Sequence, residues 1–229
     1  MKKIALLLLF SVSMSGFGQM KEKMSKCSKD STYFKNVKVN TTIGIGAQVM
    51  DFRINDLLES QGLASLNSTL PEFTLGINYF GKKVSVDTEL GLMYARPERN
   101  GNESQYVAYV ARGRVHYNVV NKTKFAFSAG LNLAFTGGRL DVYSQNNIID
   151  LNDLNPNTNS GHVSLKNKMF YAGPSIATYF FKNTKYQVRL NAAYEFGISR
   201  GRWGTDYGTV VNSVNERGND RFVFGITLL

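Results

Sequence analysis

Cysteine is nearly missing: Cys27 is the one cysteine in 229 residues. An internal disulfide is excluded, and with it the disulfide-stapled secreted scaffolds. Cys27 follows Lys23-Met24-Ser25-Lys26, without the apolar and small residues of a lipoprotein cleavage site. A free thiol is expected there, with pairing to a second molecule as the alternative, and not a lipid anchor. Long apolar runs are missing beyond the N-terminus, so no later segment can span a bilayer as a helix. The chain is basic, with 27 Lys and Arg against 17 Asp and Glu and a net charge of +10. It nevertheless lacks a basic stripe or an aromatic stacking platform, which argues against nucleic acid as a partner. Mean hydropathy is −0.22, a value that does not exclude a membrane barrel, because only alternate residues of such a barrel need be apolar.

What is present begins with MKKIALLLLFSVSMSGFGQ. Lys2 and Lys3 form a charged start, Ile4 to Phe10 open an apolar stretch, and Gly16 and Gly18 precede Gln19. That is the pattern of a secretory signal peptide over residues 1–18. Its removal leaves +8 on the mature chain. Residues 19–36 are Lys-rich and aperiodic, and read as a flexible periplasmic leader.

From residue 37 the hydropathy alternates with period two, the signature of a strand with unlike faces. In KFAFSAGLNLAF, 124–135, Phe125, Phe127, Ala129, Leu131, Leu133 and Phe135 share one parity. The same pattern recurs over 37–52, 72–80, 84–95, 105–120, 168–181, 186–199 and 221–229, making eight predicted strands. Pro174 cannot donate a ladder hydrogen bond, and a bulge is expected there. Three connections are short: GKK, NKT and KNTK. The other four, 53–71, 96–104, 136–167 and 200–220, are long, and INDLLESQGLASLN in the first suggests a helix. Short and long alternate without exception, as in an up-and-down barrel with short periplasmic turns and long outer loops.

Which face is wet is read from three features. The apolar parity carries no mid-strand charge; Asp87, Glu89, Arg112, Arg114, Arg189 and Glu195 all lie on the other parity. That second face is otherwise small, with Gly76, Gly91, Ser128, Gly130 and Gly173, as suits the crowded interior of an eight-stranded barrel. Aromatics gather at strand ends around aliphatic centres such as Leu75, Leu131 and Leu190, which makes two girdles. The competing reading, a secreted lipocalin-like barrel, would put Phe125 and its partners inside. The expectation is an all-β fold: an eight-stranded antiparallel up-and-down transmembrane β-barrel over 37–229, in the bacterial outer membrane. Centring the hairpin on loop 96–104 sets Asp87 opposite Arg114 and Glu89 opposite Arg112. These six charges are expected to form a lumen cluster that plugs the barrel.

On this pattern of signal, leader and barrel, the chain resembles the small outer-membrane barrels of the OmpA and OmpX type and the PorT-like barrel-only proteins. Such barrels usually end in an aromatic residue on the lipid-facing parity. Here Phe222, Phe224, Ile226 and Leu228 keep the parity and the sequence ends at Leu229. The resemblance implies fold and membrane more than activity. It implies outer-membrane lipid, lipopolysaccharide and the barrel-assembly machinery as partners, and a monomer.

Candidate chemistry is sparse. His162-x-Ser164 is similar to the pair in lipid A deacylases, but no Asp or Glu lies between 165 and 194 to orient the histidine. Asp153, Asn155, Asn157 and Asn159 imitate half a calcium loop. Thr158 replaces its turn glycine and Ser164 its bidentate Glu, so no metal is expected. Trp203, flanked by Arg200 and Arg202, is a candidate loop site for a partner or for lipopolysaccharide phosphates. His116, on the lumen parity, reads as a packed or hydrogen-bonded group. No cofactor is indicated. The expected role is structural or interactive, through four surface loops. The alternatives are a narrow porin-like channel and a lipid A-modifying surface enzyme.

Overall fold

The computed structural model describes residues 37–144, 162–182, 184, 186–211 and 213–229. The expected signal peptide, the expected leader with Cys27, and the Asn-rich stretch 153–161 lie outside the described residues. The barrel unit runs from Val37 to Leu229.

Among the described residues nine strands and one helix follow in order: β1 (Lys38–Met50), α1 (Ile54–Ser60), β2 (Thr69–Phe80), β3 (Val84–Ala95), the two-residue β4 (Glu98–Arg99), β5 (Asn102–Asn121), β6 (Phe125–Ser144), β7 (His162–Phe180), β8 (Val188–Gly197) and β9 (Arg221–Leu228). Each long strand pairs antiparallel with its chain neighbour. β1 pairs with β9 and β3 with β5, so the eight long strands close into a ring. Closure leaves the ring without a free sheet edge, which an isolated sheet in lipid could not tolerate.

The ladder fixes the tilt. Stepping across paired residues from Lys38 through Phe80, Ser85, His116, Gly130, Ser175, Ala193 and Val223 returns to β1 at Gln48. That is a stagger of about ten residues around eight strands, and hence a strand tilt of about 40°. At that tilt the stretch Phe125 to Phe135 rises about 25 Å, the height of a lipid-facing apolar band.

The faces are now assigned by exposure. Leu131 is 69% exposed while the adjacent Asn132 is 0% exposed. Ile45, Leu75, Leu92, Val115, Ile176 and Phe224 are outward and exposed as well. No soluble domain presents such a continuous apolar belt to water. The apolar face is therefore the outer face of a transmembrane barrel.

Three local expectations are corrected. The strands of the second and third hairpins extend well past the expected ends, β5 to β7 reaching 19 or 20 residues, so most of the loop 136–167 that is described is strand. Helix α1 covers only Ile54–Ser60; it stops at Gln61 and Gly62, whose φ of +70° suits glycine. Pro174 causes no bulge. It stays in register with Leu131, and Gly173 and Pro174 leave a gap in the β7–β8 ladder without shifting it. The missing N–H costs a hydrogen bond, not an inserted residue. The register shift lies elsewhere, between Asn118 and Val120 on β5.

Candidate functional site

Alternate residues of a closed barrel must point inward, and here they bring ionic side chains together. Asp87 and Glu89 come from β3, Arg112 and Arg114 from β5, Arg189 and Glu195 from β8. All six are buried. The lumen adds two charges that the sequence reading missed, Glu72 from β2 and Arg221 from β9, each also buried. Four carboxylates thus face four guanidinium groups. A neutral set is the arrangement in which buried charge is tolerable, since each ion must find its opposite when water is removed.

Arg112 is the hub. Its Nη1 lies 2.9 Å from Glu72 Oε1 and 3.6 Å from Glu89 Oε2, and its Nε donates to Glu195 Oε1 at 3.0 Å. Glu72 also accepts from Gln48 Nε2 at 2.9 Å. Glu195 accepts from Asn132 Nδ2 and from Arg221 Nε, both at 2.5 Å. Arg221 donates to Thr136 Oγ1 at 2.9 Å and lies over the Tyr171 ring, 3.7 Å from its centroid. Gly91 leaves the space that Glu72 fills: an added Cβ would sit 3.0 Å from Glu72 Cδ.

The ladder sets Asp87 opposite Arg114 and Glu89 opposite Arg112. The close ion pairs nevertheless run across the lumen and along diagonals. Arg189 holds both Asp87 and Glu89, and Arg114 Nη1 is 2.8 Å from Glu89 Oε1. The direct pairing Asp87–Arg114 is corrected in this sense. Strand tilt carries long side chains past their backbone neighbours, and Arg189 reaches over from the far wall.

Below this layer, Asn78 Nδ2 donates to Asp87 Oδ1 at 2.5 Å and to the Tyr179 hydroxyl at 3.2 Å. His116 Nε2 is 2.7 Å from Ser175 Oγ, and its Nδ1 is 3.8 Å from Asp87 Oδ2. The order Asp–His–Ser imitates a catalytic relay, but both His116 and Ser175 are buried in the lumen wall. A cavity among Glu72, Glu89, Arg112, Arg114 and Thr227 measures about 10 Å³, room for one water at most.

Apolar layers close both ends of the charged one. At the turn end Phe80 and Tyr179 pack edge to face, 4.8 Å between centroids, with Ala126, Ala177 and Leu229. At the loop end Phe52, Ile54, Leu58, Leu66, Leu70, Met93, Leu140, Met169 and Trp203 form the main apolar cluster. Glu216 ties this plug together. Its carboxylate accepts from the backbone N–H of Arg53 at 2.9 Å and of Ile54 at 3.2 Å, from Trp203 Nε1 at 2.8 Å and from Asn219 Nδ2 at 2.9 Å. The expected role of Trp203 in an exposed partner patch is corrected: it is 3% exposed. A large ring in a loop gains more by filling the mouth than by facing water. Arg200 and Arg202 remain exposed.

His162 and Ser164 sit where the β6–β7 hairpin has left the apolar band. The outward positions there are Arg139, Lys166 and Lys168. His162 stacks on Tyr143 at 4.5 Å, and its Nε2 is 3.0 Å from Asp141 Oδ1. Asp141 therefore supplies the acid that the sequence reading did not find, but on β6 and opposite Ser164 in the ladder. It stands beside both residues, whereas a relay needs the histidine between acid and hydroxyl. Burial pushes the Asp141 carboxyl up, yet Ser164, Arg139 and His162 around it bring it below its ordinary range. No group of three or more potential metal-ligating side chains occurs among the described residues.

No protein-family model matches the chain, and no curated protein matches it. Among solved structures the chain is similar to Ail, the attachment invasion locus protein of Yersinia pestis, at a TM-score of 0.46 and 10% identity over 83% of this chain and 96% of that one. It is also similar to Neisserial surface protein A, at a TM-score of 0.45 and 8% identity over 83% of this chain and 98% of that one.

Proposed function

We propose that the chain is a closed outer-membrane barrel with a structural or interaction role, presenting its loop end at the cell surface. The observation that carries the reading is the filled lumen among the described residues: a neutral layer of buried ionic side chains between two apolar layers. A porin-like role would require all three layers to move.

The loop end supports a display role. The β5–β6 ladder runs to Asn102 and Ser144 and the β6–β7 ladder to Tyr143 and His162, whereas the β7–β8 ladder stops at Tyr171 and Gly197. The long hairpins stand roughly 20 Å beyond the shorter wall at the strand rise and tilt above. Arg139 and Lys168 point outward just past Phe135 and Phe170, a depth and chemistry suited to lipopolysaccharide phosphates. The closed ring offers no barrel edge for strand exchange, which supports a monomer. The test is single-channel recording from the refolded chain in a planar bilayer. A baseline without discrete steps is expected; reproducible open states of the unaltered chain would favour the channel.

A further inference from the structure

The described charges divide by layer. The lumen holds four acidic and four basic side chains, and the loop end nine of each. The turn end holds six lysines, Lys38, Lys82, Lys83, Lys122, Lys124 and Lys182, and no Asp or Glu side chain. The net charge of the described residues therefore sits entirely at one end of the barrel. We propose that this end is a collar for anionic phosphate headgroups, binding phospholipids of the periplasmic leaflet.

The collar is built into the turns. Asn121 Nδ2 donates to the Lys82 carbonyl at 2.7 Å, and Lys182 Nζ donates to Asn121 Oδ1 and, at 3.1 Å, to the Lys122 carbonyl. Each of the three short turns is thus joined to its neighbour on the ring. Burial first, and the nearby Lys38 charge second, lower the Lys182 ammonium from its ordinary range, and an anion beside it would favour its charged form. The Lys182 ammonium also lies 5.0 Å from the Phe80 ring centroid.

Depth selects lipid over a soluble acid. The lysines are spread over three turns and the start of β1, around the circumference. Next to them on the outer surface stand Tyr117, Phe181 and Tyr186, 56%, 60% and 70% exposed. Exposed aromatics at a strand end mark the headgroup level. A lysine there lays its aliphatic stem along the belt and its ammonium at the phosphates. The floor itself is the apolar cluster of Phe80 and Tyr179, with Lys182 over the Phe80 ring, so most of the lysines lie at the rim and not over its centre.

The inference rests on the membrane reading above, and the experiment separates the two. The full chain is refolded into phosphatidylcholine vesicles containing a minor fraction of phosphatidylglycerol, extracted mildly, and its retained lipids are quantified by mass spectrometry. Phosphatidylglycerol should be enriched over its bulk share. K82Q/K83Q/K122Q/K124Q should lower that enrichment about tenfold, since each lysine near an anionic surface contributes measurably. The corresponding four Lys-to-Arg changes should keep it, as should R99Q/R217Q, two exposed bases of the loop end. Excess inorganic phosphate should not displace the lipid. No enrichment in the unaltered chain, or equal enrichment in the lysine and loop-end variants, overturns the collar. Displacement by phosphate, or binding of poly-glutamate with no lipid enrichment, would assign the lysines to a soluble anion and also overturn it. Heat-modifiable gel mobility of each sample reports whether a barrel formed. A missing mobility shift in the unaltered chain is a failure of the membrane reading; a normal shift without enrichment is a failure of the collar alone.

Discussion

Arg112→Met is the sharpest perturbation of the lumen. Arg112 has a side chain only 1% exposed and carries the contacts to Glu72 and Glu195. Removing it leaves Glu195 with Arg221 and Asn132, but leaves Glu72 with Gln48 alone. Glu72 then becomes a buried carboxylate without a cation, and losing one partner of such a pair costs about 3–5 kcal/mol. Methionine fills much of the same volume, so the loss reports charge and not a void. The second change, Glu72→Gln, removes the stranded charge while keeping an acceptor for Gln48. The double variant should recover at least half of the loss, a coupling of about 2 kcal/mol between adjacent residues. The assay is reversible urea unfolding in lipid vesicles. Trp203, the one tryptophan, serves as the fluorescence reporter because it is buried in the mouth. Additive costs for Arg112→Met and Glu72→Gln, or a cost below about 1 kcal/mol for Arg112→Met, would refute the network as drawn.

Three further outcomes follow from the same geometry. Glu89→Arg should destabilise the barrel or open a leak, and Arg114→Glu should rescue it better than Arg112→Glu, because Arg114 lies at 2.8 Å and Arg112 at 3.6 Å; vesicle leakage and urea titration read both. Leu131→Arg should cost about 2–4 kcal/mol by placing a charge at mid-bilayer, while Leu131→Ala should cost less because lipid fills the space; equal costs in the folding titration would remove Leu131 from the lipid face. Asp141 is held below its ordinary range, so its contribution to the β6–β7 hairpin is present above about pH 4 and is lost as pH falls below it; hydrogen-exchange protection of the hairpin, referenced to the intrinsic rate at each pH, should fall as pH drops below about 4, and Asp141→Asn should abolish that dependence.

The strands within the apolar band were legible because lipid enforces one rule on them: the outward parity stays apolar for about ten residues. The same rule explains where legibility stops. Above Phe135 and Phe170 the outer medium changes and the apolar parity inverts. Leu140, Leu165 and Met169 face the plug, while Arg139, Lys166 and Lys168 face out. A search that holds one parity apolar ends the strand at that point and reads the remainder as loop. The hairpin register of β3 and β5 followed from the shortest of the four long connections, whose centre fixes opposed residues. Choice of ionic partner did not follow, since Arg189 lies 102 residues from Asp87 and meets it only after ring closure and stagger. Glu72 and Arg221 escaped because each opens its strand segment, where parity has one neighbour to define it. The burial of Trp203 depends on Glu216 and on helix α1, contacts between separate loops that no local pattern encodes.

The central claim is a folded barrel in the outer membrane, and one preparation tests barrel and location together. The full chain is expressed in a Gram-negative host, the envelope is separated by density, and each fraction is run on a gel with and without boiling. The account predicts the chain in the outer-membrane fraction, with a mobility that shifts on heating as the ladder of hydrogen bonds opens. Recovery in the soluble periplasmic fraction, or membrane recovery without any heat-dependent shift, would contradict it.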